Sequence, residues 1–293
     1  MVNYLKYRYA CAAFFALLVA VGAGSYFYNV KNYGSAFNFS VDFTGGTQVL
    51  LKFAQPVGSD QVRSMLGEHG YSGVELREFG NTEILVRVQK FDDDVRGVGS
   101  KIAEVLQQGL KDNEVEILQV NSVGSAVGDS LRWGAIKAII VALLLMLLYV
   151  AVRFQFAFSF GAVFALFHDA LVIGVYFLLT RQEVSIDVIG AVLTVLGYSI
   201  NDTIVIFSRI RENIARMGGS SLYDIINVSI NQTMSRTMLT SLSTALVVVS
   251  LLIFGGEMLR GLSITLLLGI VFGTYSSIFV ASPVMMYLYK GEK

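Results

Sequence analysis

A single cysteine, Cys11, and only two histidines, His69 and His168, occur in the 293 residues. One cysteine excludes an internal disulfide and a cysteine metal cluster. The two histidines lie far apart with no HxxxH pair, so the sequence offers no zinc motif and implies no metal or cofactor. No GxxxxGKS/T loop is present, which excludes nucleotide hydrolysis by that route and leaves an ion gradient or a partner to power any work. Neither sign of charge is in excess, because 22 Lys and Arg balance 22 Asp and Glu. A nucleic-acid partner would require a clustered basic surplus. Proline is nearly absent as well, at two residues.

Apolar residues are abundant, at 54% of the chain. They form six runs long enough to cross a bilayer, which takes about 20 residues. These are Ala10 to Tyr28, Trp133 to Val152, Phe156 to Leu179, Val188 to Phe207, Met238 to Phe254 and about Leu262 to Leu288. The first follows Lys6 and Arg8, as a secretory signal would, but it is longer than a signal core and exits through bulky Tyr26, Phe27 and Tyr28. It is therefore read as a retained anchor. Lys6, Arg8, Arg153, Arg209, Arg211, Arg216, Arg236, Lys290 and Lys293 fall on one side, against only Arg181 and Arg260 in the short loops of the other. The positive-inside bias makes both termini cytoplasmic. The organisation expected is residues 1–28 as tail and first helix, 29–130 as a periplasmic domain, and 131–293 as helices two to six with a cytoplasmic loop at about 208–236. A surface-lying amphipathic piece, Leu222 to Ile230, is expected in that loop.

The outer segment reads as an α+β domain. Strands are expected at Gln48 to Phe53, Gly73 to Phe79, Thr82 to Gln89 and Val115 to Val120, and helices at Ser59 to His69 and Asp93 to Leu110. The order is βαββαβ, the ferredoxin-like split βαβ arrangement. The fold class is thus a polytopic α-helical membrane protein with six transmembrane helices and this domain between helices one and two. Gly45 and Gly46 precede the domain's first strand, as an ordinary turn or in a hinge or docking role. Gly124 and Gly128 follow its last strand and suit a connector that allows close backbone approach and rotation.

Asp202 lies within the apolar length of the fourth run, where an ionised carboxylate costs roughly 3 kcal/mol on insertion scales and calls for a partner or a water path. Arg236, where the fifth run begins, is the candidate companion. A conformational change altering their separation would bind or release a proton, whereas a permanent ion pair that only fixes helix packing fits the same spacing. Ser199, Asn201 and Thr203 add polar groups on the same two turns. His168 and Asp169 form a second intramembrane pair, which either extends the proton path or makes a hydrogen-bonded packing contact. Gly161, Gly174, Gly190, Gly197, Gly269 and Gly273 are read as helix-packing positions. The Gly-x-Gly-Asp signature of intramembrane aspartyl proteases is absent around Asp202, and no enzyme is expected.

The runs Gly197-Tyr-Ser-Ile-Asn-Asp-Thr-Ile-Val-Ile-Phe207, Arg209-Ile-Arg-Glu-Asn213 and Ile230-Asn-Gln-Thr-Met-Ser-Arg-Thr237, with Asp42-Phe-Thr-Gly-Gly46 and Phe254-Gly-Gly256, closely resemble the SecD/SecF family of protein-export membrane subunits, which belongs to the resistance-nodulation-division (RND) superfamily. The resemblance covers essentially the whole chain. It implies residence in the bacterial cytoplasmic (inner) membrane, a SecD partner, association with the SecYEG translocon and with YajC and YidC, and a translocating preprotein as client. It further implies that proton flow at the SecD interface moves the periplasmic domains in the late stage of translocation, with Asp202 carrying the proton beside Arg236. Ser208 stands where many relatives have an aspartate, and Ser125 where a Gly-Pro pair is common. Half of a proton-driven small-molecule or lipid exporter of the same superfamily is the alternative, and a passive scaffold for the translocon is a third reading.

Overall fold

The computed structural model describes residues 2–71, 73–88, 95–110 and 113–289. The expected boundary residues Gln89 and Asp93, and Lys290 and Lys293, lie outside the described residues. The chain divides into two compact units, one running from Phe39 to Ala135 and the other made of the residues up to Asn38 and from Ile136 onward.

In chain order, a 3₁₀ turn (Tyr4–Tyr7) leads into α1 (Arg8–Tyr33), β1 (Asn38–Phe39), the single turn α2 (Val41–Thr44), β2 (Gly46–Phe53), α3 (Ser59–Glu68), β3 (Glu75–Phe79), β4 (Glu83–Val88), α4 (Val95–Gly109) and β5 (Val115–Val123). The sheet runs β3-β4-β2-β5, with every pairing antiparallel. Alternation along β2 and β4 sends Val49, Leu51, Phe53, Ile84, Val86 and Val88 to one face, where Val62 and Leu66 of α3 and Val98, Ile102 and Leu106 of α4 cover them. Period-two strands and helices with apolar positions three and four apart thus meet across one core. Glu78 on β3 accepts hydrogen bonds from the backbone N–H of Ser59, at 3.0 Å, and from its hydroxyl, so a strand carboxylate caps the N-terminus of α3. Those donors hold the Glu78 carboxyl below its usual range.

Six helical spans follow from length and composition: Tyr4–Tyr33, α5 (Ser125–Arg153), α6 (Phe156–Thr180), α7 (Ile186–Arg216, after the two-residue β6, Glu183–Val184), α8 (Leu222–Phe254), and Gly256–Leu288. The last comprises α9 (Gly256–Ser276), a π-helical turn (Ser277–Ala281) and α10 (Ser282–Leu288). About half of the apolar window is buried in α6, α7 and the last span, at 56%, 50% and 50%. The figures for the first span, α5 and α8 are 11%, 6% and 17%, which makes the former three the inner helices.

Three boundaries differ from the sequence expectation. The first helix runs past Tyr28 to Tyr33, where Gly34 at φ 71° closes it. Its exit is pinned by Asn29, which donates to Leu178 O and Ala36 O, and by Arg181, which donates to Ser35 O and Ala36 O. β5 continues to Val123 and α5 begins at Ser125, so Gly124 is the only residue between them. The piece Leu222 to Ile230 is the start of α8, which continues unbroken into the fifth span. Asn231, Gln232 and Thr233 do not break it because their side chains are satisfied within the helix or by α7: Thr233 donates to Ser229 O, Asn231 to Asn227 O, and Asn213 of α7 to Ser229 Oγ and Gln232 Oε1. Only residues 217–221 separate α7 from α8.

Candidate functional site

Two carboxylates lie inside the helical unit, in unlike surroundings. Asp169 on α6 is 1% exposed. Its Oδ2 accepts from Ser199 Oγ of α7 at 2.6 Å and Ser276 Oγ of α9 at 2.9 Å, and its Oδ1 lies 3.1 Å from His168 Nδ1. An ionised carboxylate only accepts, so Nδ1 then carries the proton and donates. His168 Nε2 is buried with no hydrogen-bond partner among the described residues, and its ring stands 5.8 Å from that of Phe15 and 5.7 Å from that of Tyr275.

Asp202 on α7 is 4% exposed. Its Oδ2 accepts one long bond, 3.4 Å, from Ser241 Oγ of α8, a hydroxyl that also sits 2.7 Å from Thr274 Oγ1 of α9. Next to Asp202 in the chain, Thr203 Oγ1 donates to Ser199 O at 3.3 Å and lies 2.8 Å from Ser277 Oγ.

These polar groups meet because the helices approach closely and because the last span changes register. A methyl group on Gly269 would lie 2.1 Å from Val195 Cγ2, and one on Gly273 would lie 3.0 Å from Ser199 Cβ, so at these two positions α9 needs to have no side chain to approach α7 this closely. Gly161 likewise faces Ala281 O, which an added methyl would meet at 2.7 Å, whereas Gly174, Gly190 and Gly197 have open space beside them. The π turn begins at Ser277, and the consecutive residues Ser276 and Ser277 reach different inward partners, Asp169 and Thr203. Single π turns within α-helices are frequent at functional sites.

The structure therefore brings together His168, Asp169 and Ser199, places Thr203 beside them, and sets Asp202 against α8. Asn201 is exposed, turned away from both carboxylates by the 100° step between neighbouring helical residues. Arg236 is exposed on α8, and among the described residues no ion pair within 4 Å joins it to Asp202. Sequence reasoning did not single out Ser241, Thr274, Ser276 or Ser277 as ligands of the carboxylates. Single serines and threonines in an apolar run carry no periodic signal, and nothing in the sequence announces the π turn. No group of three or more His, Cys, Asp or Glu side chains at metal-binding range exists among the described residues.

At the other unit, Gly45, Gly46, Gly124 and Gly128 gather where α2 meets the first turn of α5, with Gly128 buried.

Residues 102–291 match the family model "Protein export membrane protein SecD/SecF, C-terminal", and residues 35–57 match the "SecD/SecF GG Motif". The chain is 42% identical over 254 residues to the protein translocase subunit SecF of Rhodothermus marinus, covering 85% of this chain and 82% of that one. It is 36% identical to the same subunit of Thermodesulfovibrio yellowstonii, covering 99% and 96%. Among solved structures, SecDF from Thermus thermophilus, described as a translocon-associated membrane protein, superposes with a TM-score of 0.84 at 36% identity. That match covers 97% of this chain and 38% of the longer SecDF chain. With its six membrane-crossing helices, two matched family segments and near full-length relatives, the chain belongs to the SecD/SecF family of protein-export membrane proteins.

Proposed function

We propose that this chain is the SecF-type subunit of the Sec translocase in the bacterial inner membrane, and that with SecD it couples the proton motive force to the late stage of preprotein translocation through SecYEG. It performs no covalent chemistry. Both termini lie in the cytoplasm and the sheet unit lies in the periplasm, consistent with the basic residues on the terminal side of the spans.

The observation that carries the coupling reading is the contrast between the two buried carboxylates. Asp169 is held by three donors, whereas Asp202 has one 3.4 Å contact and an arginine beyond ion-pair range. A carboxyl group so sparsely held is poised to change protonation when Arg236 or a partner's charge moves. Arg236 is exposed in the isolated chain, and an arginine on a membrane-spanning helix needs a carboxylate or water opposite it, which a neighbouring subunit supplies. Asp202 is the proton carrier and Arg236 its movable counter-charge. His168, Asp169, Ser199 and Thr203 line the continuing path, and Asn201 faces the neighbour.

Asp202→Asn tests this in inner-membrane vesicles. The variant assembles with SecD at wild-type levels but loses the stimulation of preprotein export by a proton gradient. Full stimulation in the variant overturns the reading.

A further inference from the structure

The Gly45-Gly46 pair, singled out by sequence and matched by the GG-motif model, is left unexplained by proton chemistry inside the helical unit. Every residue in the following contact belongs to the unit Phe39–Ala135. Gly45 and Gly46 have φ of 75° and 114°, conformations glycine adopts at no steric cost. A methyl group on Gly45 would stand 2.8 Å from Ser125 Cα and 3.0 Å from Ser125 N. One on Gly128 would stand 3.1 Å from Gly45 N, 3.2 Å from Phe43 C and 3.3 Å from Asp42 O. The obstacles are backbone atoms on both sides, so no side chain can swing away to make room.

The contact is braced around its rim. Gly46 pairs with Val123 at the end of the β2–β5 ladder, and the hydroxyls of Thr47 and Ser122 lie 2.8 Å apart. Ser40 caps α2 by accepting from Asp42 N, and Arg87 of β4 donates to Thr44 Oγ1 at 2.5 Å. The first turn of α5 closes on Gly124 O, which accepts from Val127 N and Gly128 N at 3.0 Å each. From Ser125 the helix runs without interruption to Arg153, about 43 Å at 1.5 Å per residue.

We propose that Gly45, Gly46 and Gly128 are positioning residues of the coupling device: they press α2 against the first turn of α5, backbone on backbone, so that the sheet and the opening turns of α5 move as one piece. This rests on the gradient-coupled reading above. Rotation belongs elsewhere than at Gly128, because turning there would pull apart backbones that lie in van der Waals contact. A methyl group on Gly45 would also meet Ser125 Cβ at 3.3 Å, so the side chain at position 125 adds to the obstacle. Removing the joint leaves the proton site intact and disconnects it from the domain that handles preprotein.

The test places spin labels at Lys52→Cys and Ser130→Cys, both exposed, in a Cys11→Ala background of the full chain with its SecD partner in vesicles. Pulsed electron-spin distances are expected to be narrow and unchanged by an imposed proton gradient. Gly128→Ala should at least double the width and abolish gradient-stimulated export, while Gly134→Ala, whose added methyl meets nothing within 4 Å, should change neither. If Gly128→Ala does not accumulate, insertion of Gly-Gly-Ser after Gly134 leaves the joint intact and interrupts α5 below it. That variant should keep the narrow distance and lose the stimulation. A broad distance in the unmutated joint, or gradient-stimulated export retained by Gly128→Ala or by the insertion, overturns the proposal. Since the distance measurement does not involve proton transfer, a failed Asp202→Asn test with narrow distances would count against the coupling reading and leave the joint standing.

Discussion

Replacing Asp169 and Asp202 in turn should separate a carboxylate that holds the helices together from one that is free to titrate. Asp169→Ala removes the acceptor of three buried donors, the hydroxyls of Ser199 and Ser276 and the Nδ1 of His168, on three residues of α6, α7 and α9, of which the Ser276 hydroxyl keeps Gly273 O as an acceptor at 3.1 Å. Hydrogen bonds between membrane helices are worth about 0.6 kcal/mol on average and at most about 1.7 kcal/mol, so the loss of three should cost about 2–5 kcal/mol. Asp202→Asn removes one acceptor at 3.4 Å and replaces it with an amide oxygen of nearly the same shape, for a cost below about 1 kcal/mol. Unfolding in mixed micelles with increasing SDS, followed by circular dichroism, measures both. If Asp169→Ala lies within about 0.5 kcal/mol of wild type, the network does not hold the inner helices together. If Asp202→Asn is the more destabilised of the two, the division of roles between the carboxylates is refuted.

Gly269→Leu should destabilise the bundle, because a branched side chain would have to occupy the space of Val195. Overpacking of this kind costs about 1–3 kcal/mol, and pulse proteolysis should show faster cleavage in α7 and α9. Glu78 is held below the ordinary carboxylate range by Ser59, so its contribution to the sheet unit is full above its unfolded pKa and is lost as pH falls through the lower folded one. Glu78→Gln should therefore lower the melting temperature near neutrality and flatten its decline in acid. Asn231 donates to Val2 O and accepts from Val2 N, fastening the N-terminal segment to α8. Asn231→Ala should speed amide exchange at Val2 to Tyr7 several-fold while leaving the inner helices protected, which hydrogen-exchange mass spectrometry resolves.

The spans and the sheet unit were legible because burial imposes periodicity. Val49, Leu51 and Phe53 alternate along β2, and the apolar lengths of α6 and α7 leave few other fates for those segments. The extent of α8 was not legible: Asn231, Gln232 and Ser235 look like a polar interruption, yet helical side chains can return their hydrogen bonds to the preceding turn. Asp202 and Asp169 were readable as candidates because charge in an apolar run is conspicuous. Their ligands Ser241 and Ser276 were not, since a serine's role depends on which helix lies opposite and, for Ser276, on a register change no composition reveals. The distance from Arg236 to Asp202 was equally hidden, being fixed by the rotation of α8 about its own axis. The glycines near Ser125 could be read as permitting close approach, but only the backbone of α2 shows what approaches them.

The most direct measurement is infrared difference spectroscopy on the chain with SecD in oriented membranes, following the carboxylic C=O stretch as pH is stepped on one face, with Asp202→Asn to assign the band. A protonation band that rises and falls with the imposed gradient and vanishes in Asp202→Asn is the predicted result. A spectrum that is insensitive to the gradient, or that is identical in the variant, contradicts the claim that Asp202 carries the proton.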